Sequence, residues 1–248
     1  MGGDGIARKG GLDVRVDVRN TGDRPITNLY VLGEVFGGRE EGRHPGEIPP
    51  GGLSSVVLRF SADVPRPGVH GVRLRLEYGD GTAPDANGNV VTVSEPALLL
   101  VALGEKAKAA VRVSASPITI DARGLLPVTL ESADGRAHRV RVRAVTAREL
   151  IADDPAEVDV PASGTARLAI PLRRAGALRG SRPGVWLLAE EVDGPLARTT
   201  TAAAEVTIAK DPGVLPRVRD VLFGVGALLV TGALLWELRR RDAPPEGA

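Results

Sequence analysis

The sequence predicts an all-β chain of two tandem β-sandwiches followed by one C-terminal transmembrane α-helix. Three observations predict it: apolar residues alternate with polar ones through most of the chain, the same turn and strand signals return after about 112 residues, and a charge-free run stands near the C-terminus. Before residue 210 no stretch carries a helical period, so the soluble part is read as strands and turns.

The first strand signal is Leu12, Val14, Val16 and Val18 alternating with Asp13, Arg15, Asp17 and Arg19. Successive side chains in a strand point to opposite faces, so this pattern buries one face and wets the other. Asn20-Thr21-Gly22-Asp23 supplies a turn. Ile48-Pro49-Pro50-Gly51-Gly52 closes a loop and launches Val56, Leu58 and Phe60. After Arg66-Pro67-Gly68-Val69 comes a further alternation of Val72, Leu74, Leu76 and Tyr78, and an apolar strand at 98–103 ends the copy.

The order then repeats. Leu126, Val128 and Leu130 stand 112 residues after Val14, Val16 and Val18. Val160-Pro161-Ala162-Ser163-Gly164 answers the segment from Ile48 to Gly52, and Ala166, Leu168, Ile170 and Leu172 follow in alternation. Arg182-Pro183-Gly184-Val185-Trp186 is aligned with Arg66 to His70 after a drift of four residues, and Asp193-Gly194 with Asp80-Gly81. A period this long means duplicated domains, and about seven short strands in each copy suit an immunoglobulin-like sandwich. The expected organisation is a flexible N-terminus over 1–9, sandwiches over 10–104 and 105–210, a juxtamembrane linker over 211–219, a transmembrane helix over 220–238 and a short basic and polar tail over 239–248.

With Val16 to Gly22 opening it, Ile48 to Gly52 before its central strand, and Pro67-Gly68 before Val72 to Tyr78, the first copy resembles the bacterial immunoglobulin-like modules called CARDB or NEW3. The resemblance spans roughly residues 10–100 and, more loosely, 110–209. The family's acidic, Asn-rich close of the last hairpin is hinted at by Asp80, Asp85, Asn87 and Asn89. The resemblance implies a non-enzymatic envelope module.

From Val221 to Trp236 the chain carries no charge; Glu237, Leu238 and the triplet Arg239, Arg240 and Arg241 follow. An α-helix from 220 to 238 rises roughly 27 Å, near the ~30 Å of a bilayer core, and a soluble helix would show a polar face that this run lacks. Trp236 and the three arginines are expected to anchor it at the interface. Lys210, Arg217 and Arg219 precede the span. The triplet abutting it favours a cytoplasmic C-terminus with extracytoplasmic sandwiches. That topology needs an export signal, and Met1 to Gly11 contains no apolar stretch. The alternative is a tail anchor with the sandwiches in the cytoplasm. Within the helix, Gly224, Ala227 and Thr231 are small, and Ala227-x-x-x-Thr231 has spacing that lets two helices approach, a route to a homo-oligomer.

Composition excludes several functions. Net charge is +1, so no one-signed field recruits nucleic acid, and aromatics at 3% leave no stacking platform. The 28 Arg against 4 Lys fit a GC-rich coding bias. Without cysteine there are no disulfides, thiolate nucleophiles or thiolate metal sites. Asp85, Asn87 and Asn89 are spaced like calcium ligands, but Val90 stands where a Gly is needed and no Glu closes the loop. Hairpin solvation explains them as well. His44 is read as a loop residue, His70 as a strand start and His138 as a strand residue, all structural. Trp186, the counterpart of His70 in this alignment, is read as core, an exposed Trp marking a partner surface being the alternative. Asp153 and Asp154 adjoin in a Pro-containing loop with no partner acid, base or metal ligand in view.

No cofactor is expected. The expected partners are the bilayer and another envelope or membrane protein, with no nucleic acid. The leading reading is a non-enzymatic, single-pass anchored scaffold of the bacterial envelope. The alternatives are an accessory subunit of a transporter-like complex assembled through its helix, and a hydrolase with loop-borne carboxylates, which would need a deep pocket around Asp153 and Asp154. If the helix self-associates, Ala227→Leu combined with Thr231→Leu removes the oligomer signal in a bacterial two-hybrid assay.

Overall fold

The computed structural model describes residues 2–8, 10–82 and 91–210. They are all-β, with no helix among them. Seven strands precede residue 104: β1 (Gly2–Arg8), β2 (Gly11–Arg19), β3 (Ile26–Val35), β4 (Gly38–Ile48), β5 (Leu53–Phe60), β6 (Gly68–Gly79) and β7 (Thr92–Leu103). Ten follow it: β8 (Val111–Ala115), β9 (Ile118–Ile120), β10 (Arg123–Ser132), β11 (His138–Thr146), β12 (Leu150–Ala152), β13 (Ala156–Val160), β14 (Thr165–Arg174), β15 (Val185–Glu191), β16 (Thr199–Ala204) and β17 (Val206–Ile208). No strand pairing crosses from the first set to the second, and each set encloses its own apolar core.

In the first sandwich a β1-β2-β5 sheet faces a β4-β3-β6-β7 sheet. Leu12, Val14, Val16, Leu58, Phe60 and Val72 are fully buried between them, the inward halves of the alternations. In the second, a β12-β14-β10-β8 sheet faces a β13-β11-β15-β16 sheet, and β17 pairs in parallel with β9. Leu126, Leu130, Val140, Val142 and Leu187 fill that core.

The repeat holds at the level of hydrogen-bond register. Val14 pairs with Leu58 and Val16 with Val56; 112 residues on, Leu126 pairs with Ile170 and Val128 with Leu168. The opposite sheets repeat the pairing with each strand shifted by one residue, so that Gly33 opposite Leu74 and Glu34 opposite Arg73 are answered by Ala144 opposite Leu187 and Val145 opposite Trp186. Pairing and facing together correct the expected match of Trp186 with His70: Trp186 points outward opposite Val145 as Arg73 does opposite Glu34, so its equivalent is Arg73. The four-residue drift arises because β6 starts at Gly68, well before its pairing with β3 begins at Arg73, whereas β15 starts at Val185. Trp186 faces away from the core and is half-buried, which corrects its reading as a core residue.

Two further expectations change. The segment 1–9, expected to be flexible, contains strand β1, paired along its length with β2 after a turn at Gly10 (φ +72°) and held by an Arg8–Asp13 ion pair of 2.8 Å. Its exposed, glycine-rich residues hide the alternation that marks other strands. Gly5 lies so close to Val101 that a Cβ there would collide with its side chain. His44, read as a loop residue, belongs to β4. That strand is polar because it is an edge, paired only with β3, and its Pro45 and alternating charges suit an edge that must not recruit another strand. A two-residue turn at Phe36 and Gly37, both at positive φ (52° and 78°), joins β3 to β4. Such turns match the strand twist, and Phe36 is held there edge-on to the His70 ring at 4.8 Å.

Asn20 explains why two separate turn signals occur together. It is 2% exposed, and its side-chain amide donates to the carbonyls of Arg24 (2.8 Å) and Ile48 (2.9 Å) while its Oδ1 accepts from Gly22 N–H at 3.0 Å. The Asn20 to Asp23 turn and the Ile48 to Gly52 launch are thus pinned to each other.

Residues up to Ala209 form one compact unit, so the sandwiches are docked to each other. Val69 N–H donates to the Ala197 carbonyl at 2.8 Å and Ala197 N–H to the Pro67 carbonyl at 2.7 Å, bracketing Gly68. Gly68 has φ +128°, and a Cβ there would strike the backbone of Ala197. Gly68→Ala therefore has both a strained backbone and a blocked clasp, and is expected to destabilise the chain by about 2 kcal/mol or more in urea unfolding.

Candidate functional site

Beside the clasp lies the densest group of ionisable side chains among the described residues. Residue 138 opens β11, Glu191 closes β15, Arg198 precedes β16, and Asp134 sits in the turn after β10. Strand pairing brings these ends together at one edge of the second sandwich. Ser132 Oγ accepts from the N–H groups of Gly135 (3.0 Å) and Arg136 (3.1 Å), shaping the turn that presents Asp134. His138 Nε2 lies 2.7 Å from Asp134 Oδ1 and Nδ1 lies 2.8 Å from Glu191 Oε1. Arg198 reaches Asp134 at 3.1 Å and Glu191 at 3.6 Å, closing a four-member ring of alternating charge.

The imidazole side chain is 5% exposed. Burial alone lowers its pKa, but the Asp134 and Glu191 carboxylates outweigh that effect and raise it above the ordinary value. The hydrogen bond from His138, helped by Arg136 N–H and Arg198, holds Asp134 down at about 2. Each ring nitrogen faces a carboxylate oxygen, an arrangement that favours the protonated ring. They point to opposite sides, so the two carboxylates do not converge on one point. Among the described residues no group of three or more His, Cys, Asp or Glu is arranged to hold a metal ion.

Glu191 also joins this ring to the first sandwich. Its backbone carbonyl accepts from the Arg66 guanidinium, which also donates to the Gly194 carbonyl at 2.8 Å. Thr199 Oγ1 donates to the Val69 carbonyl at 2.7 Å. His70 Nε2–H donates to the Arg66 carbonyl at 2.8 Å, and burial lowers the pKa of that ring. Further along the seam Leu32 and Leu188 point away from their own cores yet are only 6% and 2% exposed. Gly71 admits Leu188 against its backbone. Glu34 pairs with Arg73 at 3.0 Å, and burial raises the Glu190 pKa against the opposing pull of Arg143 and Arg73.

The sequence-proposed sites fare differently. Asp85, Asn87 and Asn89 lie outside the described residues. So do Gly224, Ala227, Thr231, Trp236, Arg239, Arg240, Arg241 and the whole proposed span; among the described residues no helix is long and apolar enough to cross a membrane. Beside the calcium-like loop, Asp80 Oδ1 is engaged by Thr82, from its N–H at 3.0 Å and its hydroxyl at 2.6 Å, which lowers the Asp80 pKa. Asp153 and Asp154 are both exposed. Asp153 lines a hollow of about 470 Å3 with Arg123, Leu125 and Arg173, whereas Asp154 does not. The structure does not bring these two carboxylates to one site.

The His138 ring was not marked by sequence spacing. Only Asp134 and His138, four residues apart, stand close in the chain; Glu191 and Arg198 arrive through the pairing of β11 with β15 and of β15 with β16.

No protein-family model matches the chain, and no curated protein matches it. Solved structures do. A transglutaminase of red sea bream aligns with 81% of this chain and 29% of its own, at 14% identity and a TM-score of 0.27. The native conformation of Escherichia coli alpha-2-macroglobulin aligns with 79% of this chain and 16% of its own, at 12% identity and a TM-score of 0.31. A Porphyromonas gingivalis protein of unknown function aligns with 84% and 96%, at 12% identity and a TM-score of 0.33. The chain thus spans less than a third of the first two proteins.

The ring has a definite pH signature. A raised histidine pKa stabilises the fold fully below the unfolded value near 6.5, and that contribution is lost as pH rises through the folded value. The lowered Asp134 pKa contributes above about 3.9 and is lost as pH falls toward 2. The melting temperature should therefore decline above about pH 6.5 in the parent chain, and His138→Gln should lower it below pH 6.5 and flatten that decline, measured by calorimetry across pH 4 to 9.

Proposed function

We propose that the chain is a non-enzymatic, single-pass, membrane-anchored binding or scaffolding protein of the bacterial envelope. In this reading its two sandwiches are immunoglobulin-like modules of CARDB/NEW3 type, held outside the cytoplasm by the helix at 220–238, and they present an open strand edge to another envelope protein.

The observation that carries the reading is the edge strand β5. It pairs only with β2, and although β4 of the facing sheet passes beside it at Gly42, no further ladder occupies its other side. Leu53 and Val57 on its outward face are 65% and 48% exposed, and the strand holds no proline and a single charged residue, Arg59. The adjacent edge strand of the facing sheet, β4, carries Pro45 and a run of charges. A protein that guards one edge and leaves another free and apolar is suited to strand addition, with backbone bonds supplying affinity and alternate side chains specificity.

The docked seam supports a scaffolding role, since a partner on β5 meets a body whose sandwiches move together. The non-catalytic reading is supported by the use made of the ionisable groups. Both His138 nitrogens are committed to carboxylates, leaving no lone pair to act as a base, and Asp134 and Glu191 are engaged by Arg198 as well. The anchored reading is supported by the apolar run with Trp236 and Arg239 to Arg241 behind it.

The test is affinity capture of the full chain from intact membranes, comparing the parent with a Leu53→Lys, Val57→Lys variant. Both positions are solvent-facing, so the melting temperature should hold while partner recovery falls about tenfold or more. Equal recovery by the two would remove β5 as the binding edge.

A further inference from the structure

The second sandwich has a surface, at the corner where Ala209 ends the compact unit, that neither its core nor its seam uses. Strand register sets its pattern. On the outer face of the β12-β14-β10-β8 sheet, Ile151 pairs with Arg173 and Arg173 with Arg123, making one cross-strand row. The neighbouring row has Pro171 opposite Leu125, with Asp153 beside them through a backbone bond to the Pro171 carbonyl. Leu125 is 60% exposed and Ile151 39%.

Arg123 and Arg173 are like charges placed directly opposite, an arrangement that costs stability in isolation. Among the described residues neither forms an ion pair; Asp153 lines the same hollow without pairing, and Asp121 close by is taken by Arg179 at 2.9 Å. Two unneutralised guanidinium groups over an apolar floor complement a surface that is anionic outside and apolar beneath.

The path of the chain says which surface that is. Ala209 N–H donates to the Ile120 carbonyl, Ile208 N–H to the Ser181 carbonyl, and Gly180 N–H to the Ile208 carbonyl. Arg174 N–H donates to the Ala122 carbonyl. The chain therefore leaves the unit between the segment that leads into Arg123 and the loop that carries Leu178. Eleven residues, 210–220, separate Ala209 from the apolar run, and fully extended they reach at most about 40 Å.

We propose that this corner rests on the bilayer, with Arg123 and Arg173 taking the phosphates of anionic lipids and Leu125 and Ile151 entering the headgroup layer. The proposal depends on the anchored reading above. It gives the second sandwich a fixed attitude on the membrane.

Because the chain has no cysteine, Leu125→Cys creates a single site for an environment-sensitive fluorophore. The full chain is reconstituted in phosphatidylcholine vesicles with and without one-third phosphatidylglycerol, its incorporation is checked by flotation, and quenching by a lipid-borne quencher is read. The expected result is quenching at least about threefold stronger with phosphatidylglycerol, lost with Arg123→Glu plus Arg173→Glu, and absent for a probe at Val57→Cys on the first sandwich. Equal quenching in both vesicle types would overturn the arginine assignment. No quenching in vesicles that float with the protein would overturn the proposal and leave the anchor standing, whereas a chain that fails to float would overturn both. A spectral shift in detergent that grows with protein concentration would assign the corner to a second copy, and so also overturn it.

Discussion

Two backbone hydrogen bonds, Val69 to Ala197 and Ala197 to Pro67, fix how the two sandwiches meet. Each is an ordinary amide bond contributing about 1 kcal/mol net, but they act where no side chain can intervene, because Gly68 has none. Once that clasp is set, Arg66 lies within reach of the Glu191 and Gly194 carbonyls, Thr199 reaches Val69, and Leu188 closes against Gly71. The outward halves of β6 and β15 then lose water, which is why Glu190 titrates above an ordinary glutamate despite the arginines around it.

Charge in this molecule is used for joining. The His138 ring closes the turn, the strand ends and the segment before β16 into one piece, and Glu191 extends it to the first sandwich through its own backbone. A buried imidazolium between two carboxylates is costly to desolvate, and it persists here because both nitrogens and both carboxylates have partners. The same saturation leaves it no capacity for proton transfer. What remains open lies at the periphery: the β5 edge on one sandwich and the Arg123, Arg173 and Leu125 corner on the other.

Much of the architecture was legible in the residues themselves. Strands β2, β5, β10 and β14 follow their alternation, and the 112-residue repeat carries through to the pairing of Val14 with Leu58 and Leu126 with Ile170. Strand β4 was not legible, since an edge strand buries little and is free to be polar, nor was β1, whose glycines are chosen for close approach. The equivalence of Trp186 failed because Arg-Pro-Gly-Val occurs before both strands while β6 begins farther upstream of its pairing with β3 than β15 does of its pairing with β11. Local motif and ladder disagree by three residues, His70 against Arg73, and the ladder decides which side chains face the core.

The sequence by itself determined which face of β2, β5, β10 and β14 is buried and how often the pattern repeats, because alternation and turn chemistry are local properties that a strand carries with it. It also set the apolar run at 221–236 apart from everything before it. Tertiary structure alone decided the seam, the His138 ring and the exposed corner near Ala209. Each of these depends on residues that are 50 to 130 positions apart in the chain, such as His138 with Glu191 or Val69 with Thr199, and only strand pairing and domain docking bring such residues together.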